Sequence, residues 1–506
     1  MKEKIKNLDE IAEIISFKKS QGKRIVLCHG VFDLLHIGHI KHFKEAKNMG
    51  DILVVSITPD QFVNKGPGRP AFNTSLRLEA LSALESIDFV FANKWKTAQK
   101  TIKIIEPNIY CKGPDYKDHS SDLTGKITDE EAAIKFVGGK IMYTDDITFS
   151  SSSLLNKYGN LHSHEHEVFI RDIAKNNSFE SINLKLDSMK NLKVLVIGET
   201  IIDQYVFCEA LGKSGKEPVL VIRNLETQEY LGGVLAIARH LSDFCNNVSL
   251  LSFLGEDNEY KSFIEEGIEE NIHLNFLTKS NSPTIVKRRF VDSIDRKKIL
   301  GVYSINDDAL NKEEEAKFLE SFDKLSKEHD LVIVSDYGHG IITPKIADYI
   351  SKTDKFISLN AQVNAANIGT HSIRKYHDIN CLIINANELC HEMRERDGDL
   401  EKLALKLKKI IKANYITVTK GKDGAFLFND KKVPVNCPGF AVKVVDKIGA
   451  GDALLALLSI CLYSKIDDGL SLFIGSLAAA QSVETIGNSK PVNKVTLLKT
   501  MSHLLK

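Results

Sequence analysis

The amino-acid sequence predicts an α/β protein with two domains, each built on a mainly parallel, doubly wound sheet. The chain has 506 residues, which is too long for one ordinary hydrophobic core. Short apolar runs such as 24–30 and 51–58 alternate with segments of helical period, a pattern typical of buried parallel strands joined by helices. A second series of such runs starts at residues 193–199, after a polar stretch, and predicts the second domain.

The composition excludes several classes of function. Hydrophobic residues make up 43 % and charged residues 26 % of the chain, as in ordinary globular proteins. Lys plus Arg and Asp plus Glu number 67 each, so no excess charge favours binding to nucleic acid or to an anionic membrane. The charged N-terminus lacks the apolar core of a signal peptide, and no apolar run is long enough for a membrane span.

The eight cysteines are scattered along the chain without a CxxC pair, and several lie within apolar runs. This spacing does not fit a disulfide framework and favours buried free thiols in a reducing compartment. We therefore expect a cytoplasmic protein whose partners are small molecules.

The order of the apolar runs places the domain limits. We expect a first domain at residues 1–159, a polar linker with one helix at 160–190, and a second domain at 191–506. The predicted strands of the first domain are 24–30, 51–58, 87–92, 108–113 and 138–146. Those of the second are 193–199, 217–224, 248–255, 284–292, 330–336, 355–360, 381–387, 415–421 and 424–429. Hairpin-like pairs among the early strands of the second domain predict a small β lid.

The stretch HGVFDLLHIGH, residues 29–39, predicts an anion site after the first strand. Gly30 allows a turn, and a helix expected to start near Leu35 places His36 and His39 on one face of its first turn. The N–H groups at a helix start favour phosphate, and Gly38 lets a ligand approach closely. Two alternatives stay open: a metal bound by the histidine pair, which usually needs a third ligand, and two ordinary, partly exposed histidines.

Residues 22–158 resemble the cytidylyltransferase-like branch of the nucleotidyltransferase superfamily, whose mark is HxGH after the first strand. The resemblance rests on GVFDLLHIGHIKHF, VNKGPGRPAFN, KGPDYKD and FSSSSLLNK. It implies an enzyme that joins a nucleoside triphosphate to a phosphorylated small molecule, with pyrophosphate as the second product. The resemblance also implies that His36 and His39 are catalytic residues that contact the triphosphate. The further nucleotide-binding residues that it implies are Gly30, Phe32, Asp33, Gly38, Lys44, Lys65, Arg77, Lys112, Asp115, Ser151 and Ser152.

Two of these positions have plainer explanations. Arg77 can pair with Glu79 or Glu85 on a helix surface, and the serines can cap the helix that follows them.

The stretch DKIGAGDA, residues 446–453, predicts a second anion site. Gly449 and Gly451 let backbone N–H groups converge at the start of an apolar helix. Asp452 lies at the same helix start, where an anion would repel it, so we interpret it as a general base. The alternative is an ordinary Asp at a helix N-cap.

Residues 193–495 resemble the ribokinase-like (PfkB) sugar kinases, through VIGETIIDQY, YLGGVLAIARHL, SDYGHG, NANE, VTKGKDGA and DKIGAGDA. The resemblance implies that Asp452 is the base and that Asp203, Gly232 and Gly233 bind the sugar. It also implies that Asn385 and Glu388 order Mg²⁺, which offsets triphosphate charge. The ATP groove would include Lys420, Gly421, Gly449, Ala450 and Gly451.

Three departures from the family pattern leave the sugar and the strength of the kinase open. Ala236 stands where the family often has an Asn after the double glycine, so one hydrogen bond to the sugar is lost. Lys447 replaces the usual Thr before the GAGD turn. Asn360 stands where related sugar-phosphate kinases usually have an acidic residue.

The pairing of the two domains resembles the bifunctional heptose-phosphate kinase and heptose-1-phosphate nucleotidyltransferase type, with the domain order reversed. It implies a nucleotide-activated sugar, ADP- or CDP-linked and heptose-like, for cell-surface polysaccharide. ATP and/or CTP and a sugar phosphate would be the substrates, with Mg²⁺ as cofactor, and the lid implies a homodimer. The alternative is a cytidylyltransferase for a sugar or polyol phosphate, joined to a weak or inactive kinase domain.

A basic run at residues 287–289 gives one more candidate for substrate binding. We expect it, through Arg288 above all, to hold a phosphate that the substrate already carries. The plainer explanation is an exposed basic strand.

Overall fold

Each half of the chain folds around its own sheet in a computed structural model. It describes residues 2–63, 70–113, 126–144, 163–364, 366–369, 371–431 and 433–505. The chain divides into two compact units, one formed by Met1–His164 with Leu498–Lys506 and the other by Glu165–Leu497.

The first unit has a five-stranded parallel sheet in the order β3-β2-β1-β4-β5. Its strands are β1 (Ile25–Gly30), β2 (Ile52–Ile57), β3 (Phe89–Ala92), β4 (Ile109–Lys112) and β5 (Lys140–Tyr143). Its helices are α1 (Leu8–Ser20), α2 (Ile37–Asn48), α3 (Thr74–Ser82), α4 (Gln99–Ile105) and α5 (Lys126–Phe136). All five predicted strands form, and the predicted fold class is confirmed for this unit.

Alternating side chains of this sheet supply two hydrophobic cores, one on each face. Leu27 and Val54 join the core that α1 and α4 cover. Val26 and Val55 join the opposite core with Phe43 of α2. Because both faces are buried, the strands appear in the sequence as continuous apolar runs rather than as an alternating pattern.

The second unit has a nine-stranded sheet in the order β10-β9-β6-β13-β14-β15-β16-β17-β18. Neighbouring strands from β10 to β16 are parallel, and β17 and β18 add antiparallel at one edge. The strands along the chain are β6 (Lys193–Gly198), β7 (Thr200–Lys213), β8 (Leu220–Gly233), β9 (Asn247–Gly255), β10 (Ile272–Lys279), β11 (Ile285–Asp292), β12 (Lys298–Ser304), β13 (Leu331–Asp336), β14 (Phe356–Ala361), β15 (Cys381–Asn385), β16 (Tyr415–Thr419), β17 (Ala425–Phe428) and β18 (Val435–Cys437).

The remaining strands form the predicted lid, a four-stranded sheet in the order β12-β11-β7-β8. Its long hairpin pairs β7 with β8. The sequence analysis missed β7, β10, β12 and β18. Polar residues interrupt the apolar run of β7 at Asp203 and Gln204, and every residue of β12 is exposed, so neither strand carries the pattern of a buried strand.

Eleven helices follow the first unit's α5 in the described ranges, and none of the described helices is long and apolar enough to cross a membrane. They are α6 (His164–Asn176), α7 (Phe179–Ser188), α8 (Val234–Leu241), α9 (Lys261–Gly267), α10 (Lys312–Glu328), α11 (Pro344–Ser351), α12 (Ala386–Met393), α13 (Leu400–Ile410), α14 (Ala450–Tyr463), α15 (Asp468–Ser482) and α16 (Lys494–Leu504).

The segment that the sequence analysis assigned to a linker with one helix contains two helices, α6 and α7. Each buries an apolar stripe, through Ile173 of α6 and through Ile182 and Leu186 of α7. Ser178 caps α7 by accepting a hydrogen bond from the backbone N–H of Ser181, which separates the two helices. Each helix has only one or two buried apolar residues, so its helical period was not visible in a segment that is mostly polar. The domain limits at 159 and 190 stay a proposal.

A stack of three phenylalanine rings in the second unit predicts a stability effect. Phe318 of α10 is fully buried and stacks between Phe253 and Phe322, with ring centroids 6.1 and 6.5 Å away. Replacing Phe318 with Ala leaves a cavity, so the free energy of unfolding should fall by about 3–5 kcal/mol. Urea denaturation followed by circular dichroism measures this change.

The matched control is Ile294→Ala, because Ile294 is 89 % exposed in the same unit. It should change the free energy of unfolding by no more than about 0.5 kcal/mol. Equal effects of the two substitutions would contradict the assigned core.

Candidate active sites

Two histidines lie together at the start of α2, beyond the carboxyl end of β1. His36 is the N-cap residue, in extended conformation, and its Nδ1 accepts a hydrogen bond from the backbone N–H of Gly38 at 3.2 Å. The rings of His36 and His39 lie 3.9 Å apart between centroids. The helix thus begins at Ile37, two residues later than expected, because His36 caps it. Two imidazoles at a helix N-terminus form a suitable site for an anion.

Phe32 fixes the turn that leads to these histidines. Its backbone has a φ of +46°, a left-handed conformation that is unusual for an aromatic residue. Its ring covers Gly30, where an added Cβ would lie 2.9 Å from the ring. The ring also meets His39 edge-on at 5.4 Å. Gly30 and Phe32 therefore shape the turn and position His39.

Asp33 and Arg77 bind the loop before α3 rather than standing open to a ligand. Both carboxylate oxygens of Asp33 accept backbone N–H bonds, from Ala71 at 2.9 Å and from Phe72 at 3.1 Å. Arg77 is 1 % exposed. Its guanidinium donates to the carbonyl oxygens of Val31 and Phe72, and to the carboxylate of Asp60.

These contacts differ from the predicted phosphate contact of Arg77, and also from the alternative pairing with Glu79 or Glu85. All three guanidinium nitrogens of Arg77 bond to protein groups. In this arrangement Arg77 joins the end of β1 to the start of α3, which is a positioning role.

Two of the predicted lysines, Lys44 and Lys112, lie in the described ranges. Lys44 is exposed on α2, about 140° around the helix from His39. Lys112 is buried at the end of β4, with its ammonium 2.9 Å from the carboxylate of Glu130. Burial raises the pKa of Glu130, but Lys112, His29 and the Tyr110 hydroxyl together hold it below its ordinary value. Four more predicted residues lie outside the described ranges: Lys65, Asp115, Ser151 and Ser152.

In the second unit, α14 begins at the GAGD turn. Gly449 is its N-cap with a φ of +91°, and an added Cβ would lie 1.7 Å from Oδ1 of Asn488. Only glycine fits there. Ala450 and Gly451 form the first turn of the helix, and an added Cβ at Gly451 would meet nothing within 4 Å among the described residues. Backbone N–H groups at this turn therefore face an open approach for an anion.

Asp452 is buried in the first turn of α14, and Tyr337 donates its hydroxyl to Oδ1 of Asp452 at 2.9 Å. Burial raises the pKa of Asp452 to about 7, and the nearby charge of Asp203 adds to this rise. The hydrogen bond from Tyr337 and the charge of Lys287 oppose the rise. A carboxyl group that titrates near neutral pH suits general base catalysis.

Asp203 lies on β7 against the double glycine at the end of β8. An added Cβ at Gly232 would lie 2.2 Å from the carboxylate of Asp203, so the close approach requires glycine. Gly233 has a φ of +57° and lies as closely against the carbonyl oxygen of Glu199. Arg289 donates to the carboxylate of Asp203 at 2.5 Å. The predicted sugar-binding residues are thus close to one another.

The basic run on β11 divides between the two faces of the lid sheet. Lys287 stands beside Asp203 in the strand register, and Arg289 lies on the same face. Arg288 points to the opposite face and donates to the side chain of Gln204. The predicted binding residue Arg288 therefore lies away from Asp203, whereas its two neighbours face Asp203.

Lys287 is a buried cation close to the two aspartates. Its ammonium lies over the rings of Tyr337 and Tyr303, at 5.1 and 5.6 Å. Within the described part of the chain, no hydrogen-bond or ion-pair partner reaches this ammonium. Burial lowers the pKa of Lys287, although the charges of Asp203 and Asp452 oppose the change.

Sequence reasoning missed a buried carboxylate that supports this region. Glu199 follows β6 and accepts the backbone N–H groups of Tyr337 and His339, at 2.9 and 3.1 Å. Burial raises the pKa of Glu199 to about 7, and the charge of Asp336 contributes. Asp336 is itself paired with Lys375 at 2.7 Å. The only sequence signal was an acidic residue directly after a buried strand.

Asn385 and Glu388 form a reciprocal cap at the start of α12. The Asn385 side chain accepts from the backbone N–H of Glu388 at 2.9 Å, and Glu388 accepts from the N–H of Asn385 at 3.0 Å. Burial raises the pKa of Glu388 to about 7. Amide and carboxylate oxygens are ligands that Mg²⁺ prefers, so this donor set fits the predicted metal.

Further predicted residues line the carboxyl ends of the same parallel strands. Lys420 and Gly421 follow β16, the neighbour of β15, which ends at Asn385. The Lys420 ammonium lies 5.7 Å from the ring centroid of Phe426. Ligands of open α/β sheets bind at such strand ends, which supports a nucleotide groove there.

The residues that depart from the family pattern have plain surroundings. Ala236 is buried within α8, and the Asn360 side chain donates to the carbonyl oxygen of Ile383 at 2.9 Å. Lys447 is exposed. Its neighbour Asp446 is buried and paired with Lys298 at 2.6 Å, which anchors the start of the GAGD turn.

Two family profiles match the chain, in the order that the motifs predicted. Residues 27–157 match the family described as cytidylyltransferase-like. Residues 191–494, more than half of the chain, match the family described as pfkB family carbohydrate kinase. The predicted resemblances and the predicted α/β fold class are confirmed. The chain joins a nucleotidyltransferase-like domain to a carbohydrate-kinase domain.

Curated relatives carry the name "Bifunctional protein HldE". That of Campylobacter jejuni strain RM1221 is 28 % identical over 324 residues, 63 % of this chain and 67 % of the relative. That of Aliarcobacter butzleri is 39 % identical over 139 residues, 27 % of this chain and 29 % of the relative. The alignments thus span about two thirds or less of these relatives' own lengths.

Among solved structures, a ribokinase of Arabidopsis thaliana complexed with ribose and ATP is similar to this chain, with a TM-score of 0.48 and 20 % identity. The alignment covers 62 % of this chain and 99 % of the ribokinase chain.

The raised pKa of Asp452 predicts how stability depends on pH. An unfolded Asp carboxyl ionises at its ordinary pKa of about 3.9, whereas the folded carboxyl keeps its proton until about pH 7. The unfolded state therefore binds fewer protons between about pH 4 and 7, and stability falls as pH rises through this window. Asp452→Asn keeps an acceptor for Tyr337 and removes the share of this fall that Asp452 contributes, while the shares of Glu199 and Glu388 remain.

The variant should gain stability over the wild type as pH rises from 4 to 7, by an amount of the order of 3 kcal/mol, and the difference should then level off. Denaturant unfolding at pH 4.5 and pH 8 measures it. A difference between the two proteins that is the same at both pH values would contradict a raised pKa.

Proposed function

The chain belongs to the pfkB family of carbohydrate kinases, and on this premise we propose that it is a bifunctional enzyme that makes a nucleotide-activated sugar. Its C-terminal unit phosphorylates a sugar phosphate at the 1-position. Its N-terminal unit joins that 1-phosphate to a nucleotide and releases pyrophosphate. The resemblance of the motifs favours a heptose-like sugar, an ADP or CDP link and a role in cell-surface polysaccharide.

The observation that carries this proposal is the surroundings of Asp452. A buried carboxyl with a pKa of about 7 lies at a helix start that suits phosphate, near Asp203 and the buried cation Lys287. A structural N-cap would have no need of burial or of a nearby cation, and Gly449 already occupies the N-cap position. The arrangement therefore supports a working kinase.

The kinase step follows from these groups. Asp203 accepts a hydrogen bond from a sugar hydroxyl and orients it. Asp452 takes the proton of the attacking hydroxyl as the oxygen bonds to the γ-phosphorus, and ADP leaves. The N–H groups from Gly449 to Gly451 and the Lys287 ammonium stabilise the negative charge of the phosphoryl group. When Mg²⁺ is bound, through Asn385 and Glu388, it neutralises the charge of the triphosphate.

The transferase step uses the start of α2. An oxygen of the sugar 1-phosphate attacks the α-phosphorus of the nucleoside triphosphate, and pyrophosphate leaves, so the bonds balance without a covalent enzyme intermediate. His36, His39 and the N–H groups of the helix start hold the phosphates and stabilise the charge that develops. Phe32 keeps His39 in place, while Asp33 and Arg77 hold the loop before α3 through hydrogen bonds to its backbone.

Further features support a homodimer in the cytoplasm. The lid sheet exposes large apolar side chains, among them Leu211, Leu220 and Leu300, each more than half exposed. An apolar sheet face of this kind suits a second copy of the chain. All eight cysteines are free thiols and seven are buried, which suits a reducing compartment.

A transferase with a weak kinase domain is the second candidate. Two observations favour it: Ala236 offers no hydrogen bond to a sugar, and the Asn360 amide is engaged with Ile383. Separate assays of the two reactions distinguish the candidates.

Single substitutions should separate the two activities. Asp452→Asn should slow the kinase step by about 10²- to 10⁴-fold and leave transfer to a supplied sugar 1-phosphate unchanged. His39→Asn should slow transfer by about 10²- to 10³-fold and leave phosphorylation unchanged. Mass spectrometry of products from a panel of sugar phosphates, with Mg²⁺ and either ATP or CTP, measures both steps.

Mixing the two variants provides the control. Each variant alone should make a nucleotide sugar only slowly, and the mixture should make it much faster, because the sugar 1-phosphate made by one variant is the substrate of the other. If Asp452→Asn converts every sugar phosphate as fast as the wild type, the kinase proposal is wrong and the second candidate stands.

Lys287 and Arg288 offer a matched test on one strand. Lys287→Met removes the buried cation near Asp452 and should slow phosphorylation by about 10²- to 10³-fold. Arg288→Met removes a cation from the opposite face of β11 and should change the rate less than about 3-fold. Steady-state kinetics measures both, and a larger loss from the Arg288 variant would contradict the assigned faces.

A further inference from the structure

Two cysteines and a histidine meet in the first unit, and the histidine lies three residues after His39 on α2. Cys28 on β1 and Cys111 on β4 are direct partners in the strand register. His42 on α2 completes the group, and one ligand atom from each of the three residues lies within 4.8 Å of the others. It is the one group of this kind in the described ranges.

We propose that Cys28, Cys111 and His42 bind a Zn²⁺ ion. Thiolate and imidazole are the ligands that zinc prefers, and three protein ligands with water in the fourth position complete a tetrahedron. A Zn–S bond of about 2.3 Å places two ligand sulfurs about 3.8 Å apart. The side chains therefore need only small rotations to close around the ion.

The charge of the complex suits its buried position. Cys28 and Cys111 are 0 and 1 % exposed. Two thiolates cancel the charge of one divalent ion, so the loaded site carries no net charge into the core. Burial raises the pKa of the Cys28 thiol, and its hydrogen bond with Cys111 adds to the rise. Zinc binds each cysteine as its thiolate, so each S–H group that becomes a ligand gives up its proton to solvent.

A buried hydroxyl group holds the ring of His42 in place. Its Nδ1 lies 3.0 Å from the hydroxyl oxygen of Thr144, which is fully buried. Histidine ligands of metals usually have the second ring nitrogen held by such a partner, which fixes the ring and leaves the other nitrogen directed at the metal. His42 itself is only half-buried, which provides a route for the ion.

The proposed ion would link the elements that build the nucleotide site. β1 leads to Gly30, β4 ends at Lys112, and α2 carries His39 three residues before His42. Closing these three elements around one ion would steady the start of α2. The inference rests on this cluster alone and does not depend on the proposed reaction.

Cobalt provides the test, since Co²⁺ replaces zinc and absorbs light when thiolates bind it. The full-length chain, reduced and freed of metal with a chelator, should take up one Co²⁺ per chain with a thiolate-to-cobalt charge-transfer band. Two protons should appear per ion in weakly buffered solution. Zn²⁺ should abolish the band by displacing cobalt.

Substitutions locate the site. Cys111→Ala and His42→Gln should each abolish the charge-transfer band, and Thr144→Val should weaken binding by about 10- to 100-fold. Cys381→Ser, which removes a buried thiol from the second unit, is the matched control and should leave the band unchanged.

Protection from alkylation tests the site in the wild-type chain, so this test does not depend on whether a variant folds. In the wild-type chain, Zn²⁺ should protect Cys28 and Cys111 from iodoacetamide under mild denaturation, while Cys381 keeps its reactivity, as read by peptide mass spectrometry. The absence of a cobalt band and of this protection would show that the two thiols only pack in the core, and would overturn the proposal.

Discussion

The balance of buried charge around Asp452 is the constraint on which the second unit depends. Three buried carboxylates, Asp203, Asp452 and Glu199, lie near enough to Lys287 for their charges to act on its pKa. Burial alone would protonate them or expel them from the core. Arg289 neutralises Asp203 directly, whereas Lys287 contacts neither aspartate and lies over aromatic rings. In the proposed kinase step, this cation is the one that stabilises the charge of the phosphoryl group.

In the proposed mechanism both units bind phosphate with the same element, a helix start just beyond a parallel strand or a glycine turn. Each helix start carries a side chain suited to its reaction. In the first unit His36 caps α2 and His39 follows it, so two imidazoles lie at the helix start. In the second, Gly449 takes the cap position, and Asp452, the proposed base, lies in the first turn. Glycine is required at both turns, because Gly30 lies close against the ring of Phe32 and Gly449 lies close against the side chain of Asn488.

The sequence predicted the parts of the fold that depend on burial, and missed those that depend on register or on polar contacts. The buried strands stood out as apolar runs, whereas Asp203 and Gln204 interrupted the apolar run of the lid strand β7. Period-two alternation separates Arg288 from its neighbours but cannot tell which face of β11 meets Asp203. The inward turn of Arg77 depends on carbonyl groups, such as that of Val31, whose positions no sequence pattern reports.

The central claim is that one chain both makes a sugar 1-phosphate and consumes it. ³¹P NMR of the wild-type chain with Mg²⁺, a nucleoside triphosphate and a sugar phosphate that lacks a 1-phosphate follows every phosphorus atom through the reaction. The account predicts a sugar 1-phosphate signal first, and then the signals of a nucleotide sugar and of pyrophosphate. A nucleotide sugar that forms only when the 1-phosphate is supplied, for every sugar phosphate in the panel, would contradict it.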